Sequence, residues 1–155
     1  MRHLLVVILS VLLLNALPKE EVHWLTFEEL ETALANAPKK VIIHFYADWC
    51  VYCKKMEQSA YSKPDIIETL NAEYYAVKFN VESTDEIEFG GKRFINANVG
   101  KKRNPYHQIP EYLAGRENEE LELPATVFLD EDFNIVERYY WYLSPKEMRD
   151  ILKEN

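Results

Sequence analysis

The period of the apolar positions changes several times along this chain, and each change marks an element. Phe27, Leu30 and Leu34 fall at helical spacing behind Thr26 and Glu29, a capping-box pair, so the pattern predicts an amphipathic helix over Phe27 to Asn36 that Pro38 ends. The next run, Val41 to Ala47, is almost continuously apolar and aromatic, as in a strand buried on both faces of a sheet. A second helix is expected from Cys50 to about Ala60, with Ser62 and Pro64 interrupting it. Ile66, Ile67 and Leu70 carry a third over Asp65 to Glu73, and Tyr74 to Val81 is the next strand. Later, Pro124 to Asp130 predicts a strand, Asp132 to Asn134 a turn, and Ile135 to Tyr142 its hairpin partner. Ser144-Pro145 then opens a last helix through Met148, Ile151 and Leu152.

Helix, strand, helix, strand implies a parallel pair with a right-handed crossover, and the later hairpin adds antiparallel strands. The fold class is therefore α/β, a central mixed sheet flanked by helices. Between the two halves, residues 82–122 are too long for a plain connection and need structure of their own. Ile87-Glu88-Phe89 and Lys92-Arg93-Phe94-Ile95 flank Gly90-Gly91, a two-residue hairpin signal. Asn96 to Gln108 reads as a polar loop, and Ile109 to Ala114 as one or two helical turns ended by Gly115. This stretch is expected to be an insertion beside the active site.

Composition narrows the classes. The 155 residues suit one domain, and 48% hydrophobic with 28% charged content is ordinary for a globular chain. A net charge of -8 with no basic stripe argues against nucleic acid as a partner. At the N-terminus Arg2 and His3 precede an apolar run from Leu4 to Leu14, broken only by Ser10, and Ala16 offers a small residue for cleavage. The reading is a signal peptide over residues 1–17, followed by a domain over 18–155, exported and most simply periplasmic. The alternative is an uncleaved anchor, although the run is shorter than the roughly 20 residues that span a bilayer. No cysteine follows the run, which excludes lipoprotein attachment.

Cys50 and Cys53 are the only two cysteines. On the first turn of a helix, two thiols three residues apart can close a disulfide and reopen it, and the helix N-terminus stabilises a thiolate. A structural staple is the weaker reading, because so short a loop restricts the unfolded chain little. Zinc usually needs four ligands, and here one cysteine pair accompanies four scattered histidines. The pair therefore reads as a redox switch, with no metal and no organic cofactor expected.

The segment Val41 to Met56, which contains Tyr46-Ala47-Asp48-Trp49-Cys50-Val51-Tyr52-Cys53-Lys54, together with Leu123-Pro124-Ala125-Thr126-Val127-Phe128-Leu129-Asp130, resembles the thioredoxin superfamily. It is most similar to the C-terminal thioredoxin-like domain of bacterial thiol:disulfide interchange proteins. The resemblance implies a thioredoxin-like fold in which residues 82–122 are inserted before the cis-proline strand. It implies that Cys50 is the exposed nucleophile and Cys53 the buried resolving cysteine. Trp49 would shield the pair, Pro124 would follow a cis peptide bond, and Leu123, Val51 and Tyr52 would meet the substrate. Lys78 would lie near the buried side of the site. His44 stands where many thioredoxins carry a buried aspartate; a histidine pKa near neutrality would suit a base, and a packed strand histidine is the alternative.

The activity implied is thiol-disulfide exchange on disulfide-bearing exported proteins, as a reductase recharged by a membrane thiol-disulfide carrier, with the protein a monomer. Oxidase or isomerase action uses the same residues in another direction. A non-catalytic client-binding module is the competing class, for which Tyr139-Tyr140-Trp141-Tyr142 and Tyr106-His107 offer surface, though core or loop packing accounts for them equally. His107 would touch the site only if the insertion folds over it.

Overall fold

The computed structural model describes residues 20–154, so the signal-peptide reading of residues 1–17 lies outside the described residues. Among those described, no helix is long and apolar enough to cross a membrane. The elements are β1 (Trp24–Leu25), α1 (Phe27–Asn36), β2 (Lys40–Tyr46), α2 (Val51–Ser59), α3 (Pro64–Glu73), β3 (Tyr74–Asn80), β4 (Ile87–Phe89), β5 (Lys92–Phe94), α4 (Gln108–Ala114), β6 (Ala125–Leu129), β7 (Ile135–Tyr139) and α5 (Pro145–Glu154).

Five strands form one sheet in the order β1-β3-β2-β6-β7. β2 is central, parallel to β3 and antiparallel to β6, and its five inner residues Val41 to Phe45 are all buried. Alternation along β2 divides the core. Val41, Ile43 and Phe45 join Phe27 and Leu30 of α1 in one cluster, while Ile42 joins Met56, Ile66, Ile67, Leu70, Met148 and Ile151 from α2, α3 and α5 in another. The sheet is thus covered by helices on both faces, as a buried parallel pair requires.

Local chemistry accounts for several boundaries. Thr26 Oγ1 accepts from the Glu29 N–H at 3.2 Å and Glu29 Oε2 accepts from the Thr26 N–H at 2.8 Å, so the capping box at α1 is closed. Gly90 and Gly91 have φ of +60° and +68°, the pair of left-handed residues that a tight hairpin turn between β4 and β5 needs. Gly115 follows α4 for a different reason. Its φ is -64°, but a Cβ there would stand 2.1 Å from the Glu111 carbonyl oxygen.

Two features depart from the pattern-based expectation. β1 was not expected: two residues carry no period, and it exists because β3 pairs with it through Trp24↔Ala76 and Leu25↔Val77. β7 ends at Tyr139 rather than Tyr142, because the next tyrosines take tertiary partners instead of ladder positions. Tyr140 Oη donates to the Ala114 carbonyl at 3.0 Å, and the Tyr142 and Ser59 hydroxyls share a hydrogen bond at 3.0 Å.

Residues of the 82–122 stretch pack into the core. Ile87, Ile109, Leu113 and Ala114 belong to the same cluster as Phe27, Cys50 and Cys53, with Phe89 against Phe27 at 5.4 Å between ring centroids. The stretch therefore shares its apolar packing with the cysteine pair.

Candidate functional site

β2 leaves the sheet at Tyr46, and the chain turns so that the Cys50 N–H donates to the Ala47 carbonyl at 3.0 Å. Cys50 is then the N-cap residue of α2, extended at φ -75° and ψ 100°. Its sulfur accepts from the Cys53 N–H at 3.1 Å, the position a capping oxygen ordinarily takes. Cys50 and Cys53 are disulfide-bonded, with Cα atoms 5.2 Å apart. A sulfur held at the amide end of a helix is one whose anion that end stabilises.

Neither cysteine is freely exposed. Cys50 is 4% accessible and Cys53 0%, so the expectation of an exposed nucleophile holds only as a difference between the two. Both belong to the cluster that contains Ala47, Val81 and Ala125. The surface over them is apolar and open: Trp49, Val51 and Tyr52 are 54%, 74% and 59% exposed. The Leu123-Pro124 peptide bond is cis, Pro124 is buried, and Leu123 packs against the cluster that holds the cysteines.

Trp49 is tethered by a residue that sequence reasoning passed over. Its indole N–H donates to Glu82 Oε1 at 3.1 Å. The Glu82 N–H in turn donates to Asn80 Oδ1 at 2.9 Å, and Asn80 Nδ2 donates to Asp48 Oδ1 at 3.4 Å. The end of β3 and the start of the 82–122 stretch are thereby tied to the residue before Cys50. No short motif could have signalled a contact across 33 positions.

His44 is 0% exposed on β2 and does not have the near-neutral pKa expected from its residue type. Burial pushes it down to about 3, and the Lys78 charge pushes the same way. Its ring lies 5.1 Å from that of Tyr61 and is stacked 6.2 Å from that of Tyr46, and neither ring nitrogen has a hydrogen-bond partner. The imidazole is neutral at ordinary pH. Lys78, its register partner on β3, is half-buried, pairs with Glu57 at 2.9 Å and lies 4.6 Å over the Tyr46 ring. Glu57 is one helical turn beyond Cys53 on α2, a placement the resemblance did not supply.

His107 is fully buried as the N-cap of α4. Its Nδ1 accepts from the Ile109 N–H at 3.2 Å, its Nε2 meets the Asp85 carbonyl at 3.1 Å, and its ring packs edge-on to Phe79 at 5.2 Å. These contacts are those of a packing residue in the 82–122 stretch. Of the four aromatic residues at 139–142, Tyr139, Tyr140 and Tyr142 are partly buried and Trp141 is 52% exposed. Among the described residues no group of three or more His, Cys, Asp or Glu side chains is arranged to hold a metal ion.

A family model for the thioredoxin-like domain matches residues 26–155. The thiol:disulfide interchange protein DsbD of Escherichia coli (strain K12) is 39% identical over 72 residues, 46% of this chain and 13% of the relative. DsbD of Salmonella typhimurium (strain LT2) is 48% identical over 46 residues, 29% of this chain and 8% of the relative. The matched segment is thus a small part of those longer proteins. Among solved structures, a thioredoxin from Thermus thermophilus superposes with a TM-score of 0.58 at 20% identity, covering 86% of each chain. The oxidised C-terminal domain of Neisseria meningitidis DsbD superposes at 0.51 and 17% identity, covering 81% of this chain and 89% of that domain. At such identities these superpositions speak to the fold, which is thioredoxin-like.

Proposed function

This chain belongs to the thioredoxin-like family, and from that premise we propose that it reduces disulfides in exported proteins through the Cys50-Cys53 couple. The observation that carries the proposal is the cysteine pair at the N-terminus of α2, with Cys50 Sγ facing the first amides of the helix. In the reduced protein the Cys50 thiolate attacks one sulfur of a client disulfide. That bond breaks, the other client sulfur leaves as a thiolate and takes a proton, and a Cys50-client mixed disulfide forms. The Cys53 thiol then loses its proton and attacks Cys50 Sγ. The client's second thiol is released, and two electrons have passed from the dithiol to the client. A dithiol donor must restore Cys50 and Cys53, and the likeness of residues in this chain to DsbD favours a membrane thiol-disulfide carrier in that role.

Trp49, held by Glu82, Val51 and Tyr52 frame the approach to Cys50, and Leu123 before cis Pro124 offers backbone to an extended client segment. Export is supported by the leader pattern at residues 1–17. The test is the reduction potential of Cys50-Cys53 in the mature protein, measured by equilibration with glutathione or dithiothreitol couples. A value near about -270 mV or below supports the reductase direction, and one near about -120 mV assigns an oxidase instead. Replacing Cys50 by Ser is expected to abolish client reduction; retained function in that variant would leave only a client-binding module.

A further inference from the structure

Resting on that redox reading, we infer that Tyr52, Tyr142 and Lys55 form a client-selecting shelf beside Cys50, fitted to an extended segment that carries an acidic residue and an aromatic or aliphatic one next to its cysteine. Trp49, Val51 and Tyr52 are three of the eight large hydrophobic side chains that remain exposed among the described residues, and they occupy four consecutive positions with Cys50. An exposed apolar group concentrated around a reactive sulfur marks a contact surface rather than scattered surface hydrophobicity.

The shelf runs from Tyr52 to Tyr142. The Tyr52 and Tyr142 ring centroids are 6.4 Å apart at an interplanar angle of 45°, which leaves an open wedge rather than a closed stack. Tyr142 is fixed by its hydroxyl contact with Ser59 at 3.0 Å. Lys55 Nζ stands 4.7 Å over the same ring and makes no ion pair among the described residues. Lys54, the residue after Cys53, is exposed and likewise makes none. In a chain of net charge -8, with the Asp48 and Glu82 carboxylates on the Trp49 side of Cys50, the unpaired Lys54 and Lys55 make the α2 side a local patch of opposite sign. Apolar wedge and cationic rim together are complementary to an acidic, apolar segment and repel a basic one.

The probes are synthetic cysteine peptides, each presented as its glutathione mixed disulfide, with the cysteine flanked by Phe and Glu, by Phe and Lys, or by Ala and Glu. The reduced protein attacks the peptide sulfur, glutathione leaves, and Cys53 releases the peptide thiol. Within any one variant the ratio of kcat/KM for two peptides cancels changes in Cys50 nucleophilicity. Exposed ion pairs are weak, so wild-type protein should prefer Phe-Glu over Phe-Lys by no more than about fivefold at low salt. The preference should fall to about twofold in half-molar salt, where the Debye length of about 4 Å is comparable to the separation of the charges. Lys55→Glu, with Lys54 still in place, should abolish the Glu-over-Lys preference, and Tyr52→Ser should erase the preference for Phe-Glu over Ala-Glu. A wild-type protein that reduces hydroxyethyl disulfide but treats the three peptides alike overturns the shelf and leaves the redox function standing. Failure to reduce hydroxyethyl disulfide overturns the redox reading itself.

Discussion

Replacing His44 by Leu should flatten the acid side of the stability profile. The unfolded chain binds a proton on this imidazole near its ordinary value of 6.5, whereas in the folded protein burial and the Lys78 charge hold the site empty down to about 3. Between those values the unfolded state carries more protons, so the folded state loses stability as pH falls through 6.5 towards 3. At 1.36 kcal/mol per pH unit, lowering the pH from about 6.5 to about 4.5 costs about 2 to 3 kcal/mol from this residue alone. The Leu variant has no such loss. It also removes two buried ring nitrogens without partners, so at neutral pH it should be as stable as wild type or slightly more so. Urea unfolding of the oxidised proteins at several pH values measures the difference. Asp65, Asp130, Glu147 and Asp150, whose hydrogen bonds hold their carboxyls below the usual range, titrate alike in both proteins and cancel. A wild-type-to-variant gap that stays constant from about pH 7 to about pH 4.5 would refute the assignment, and would mean that the folded imidazole takes a proton near its ordinary pKa, as a base for Cys53 would.

Other consequences can be checked singly. Cys53→Ser should halt exchange after the first step, so that the Cys50-client mixed disulfide accumulates and is seen as a dithiothreitol-sensitive adduct by non-reducing electrophoresis; rapid turnover would exclude Cys53 as the resolving group. Gly115→Ala must displace the Glu111 carbonyl, which would lie 2.1 Å from the new Cβ, and should cost about 1 to 3 kcal/mol by urea unfolding despite an ordinary φ. Thr26→Ala opens the capping box at α1 and should cost about 1 kcal/mol in the same assay, with no change in reduction potential. Glu82→Ala frees the Trp49 indole, so tryptophan anisotropy should fall and KM for protein clients should rise more than kcat changes; an unchanged anisotropy would show that another contact holds the ring.

What could be read without coordinates was what a few neighbouring residues decide. The helix over Phe27–Asn36, the Gly90-Gly91 hairpin, the buried β2 and the cysteine pair opening α2 each follow from a period, a cap or a left-handed turn within a short window. The thioredoxin-like order of elements, and the cis bond before Pro124, were what the resemblance carried by two separate motifs implied. Tertiary structure alone supplied whatever depends on partners distant in the chain. β1 is a strand only because β3 lends it hydrogen bonds, and β7 stops early because Tyr140 and Tyr142 find partners on α4 and α2. Residue type left His44 open between a titrating base and a packed strand histidine, and enclosure in the sheet makes it neutral, since the free energy of a charge is set by what surrounds it. The same reason hid Glu82 beside Trp49 and Glu57 beside Lys78: a hydrogen bond or ion pair across tens of residues leaves no periodic trace, and exists only where folding has already brought its two halves together.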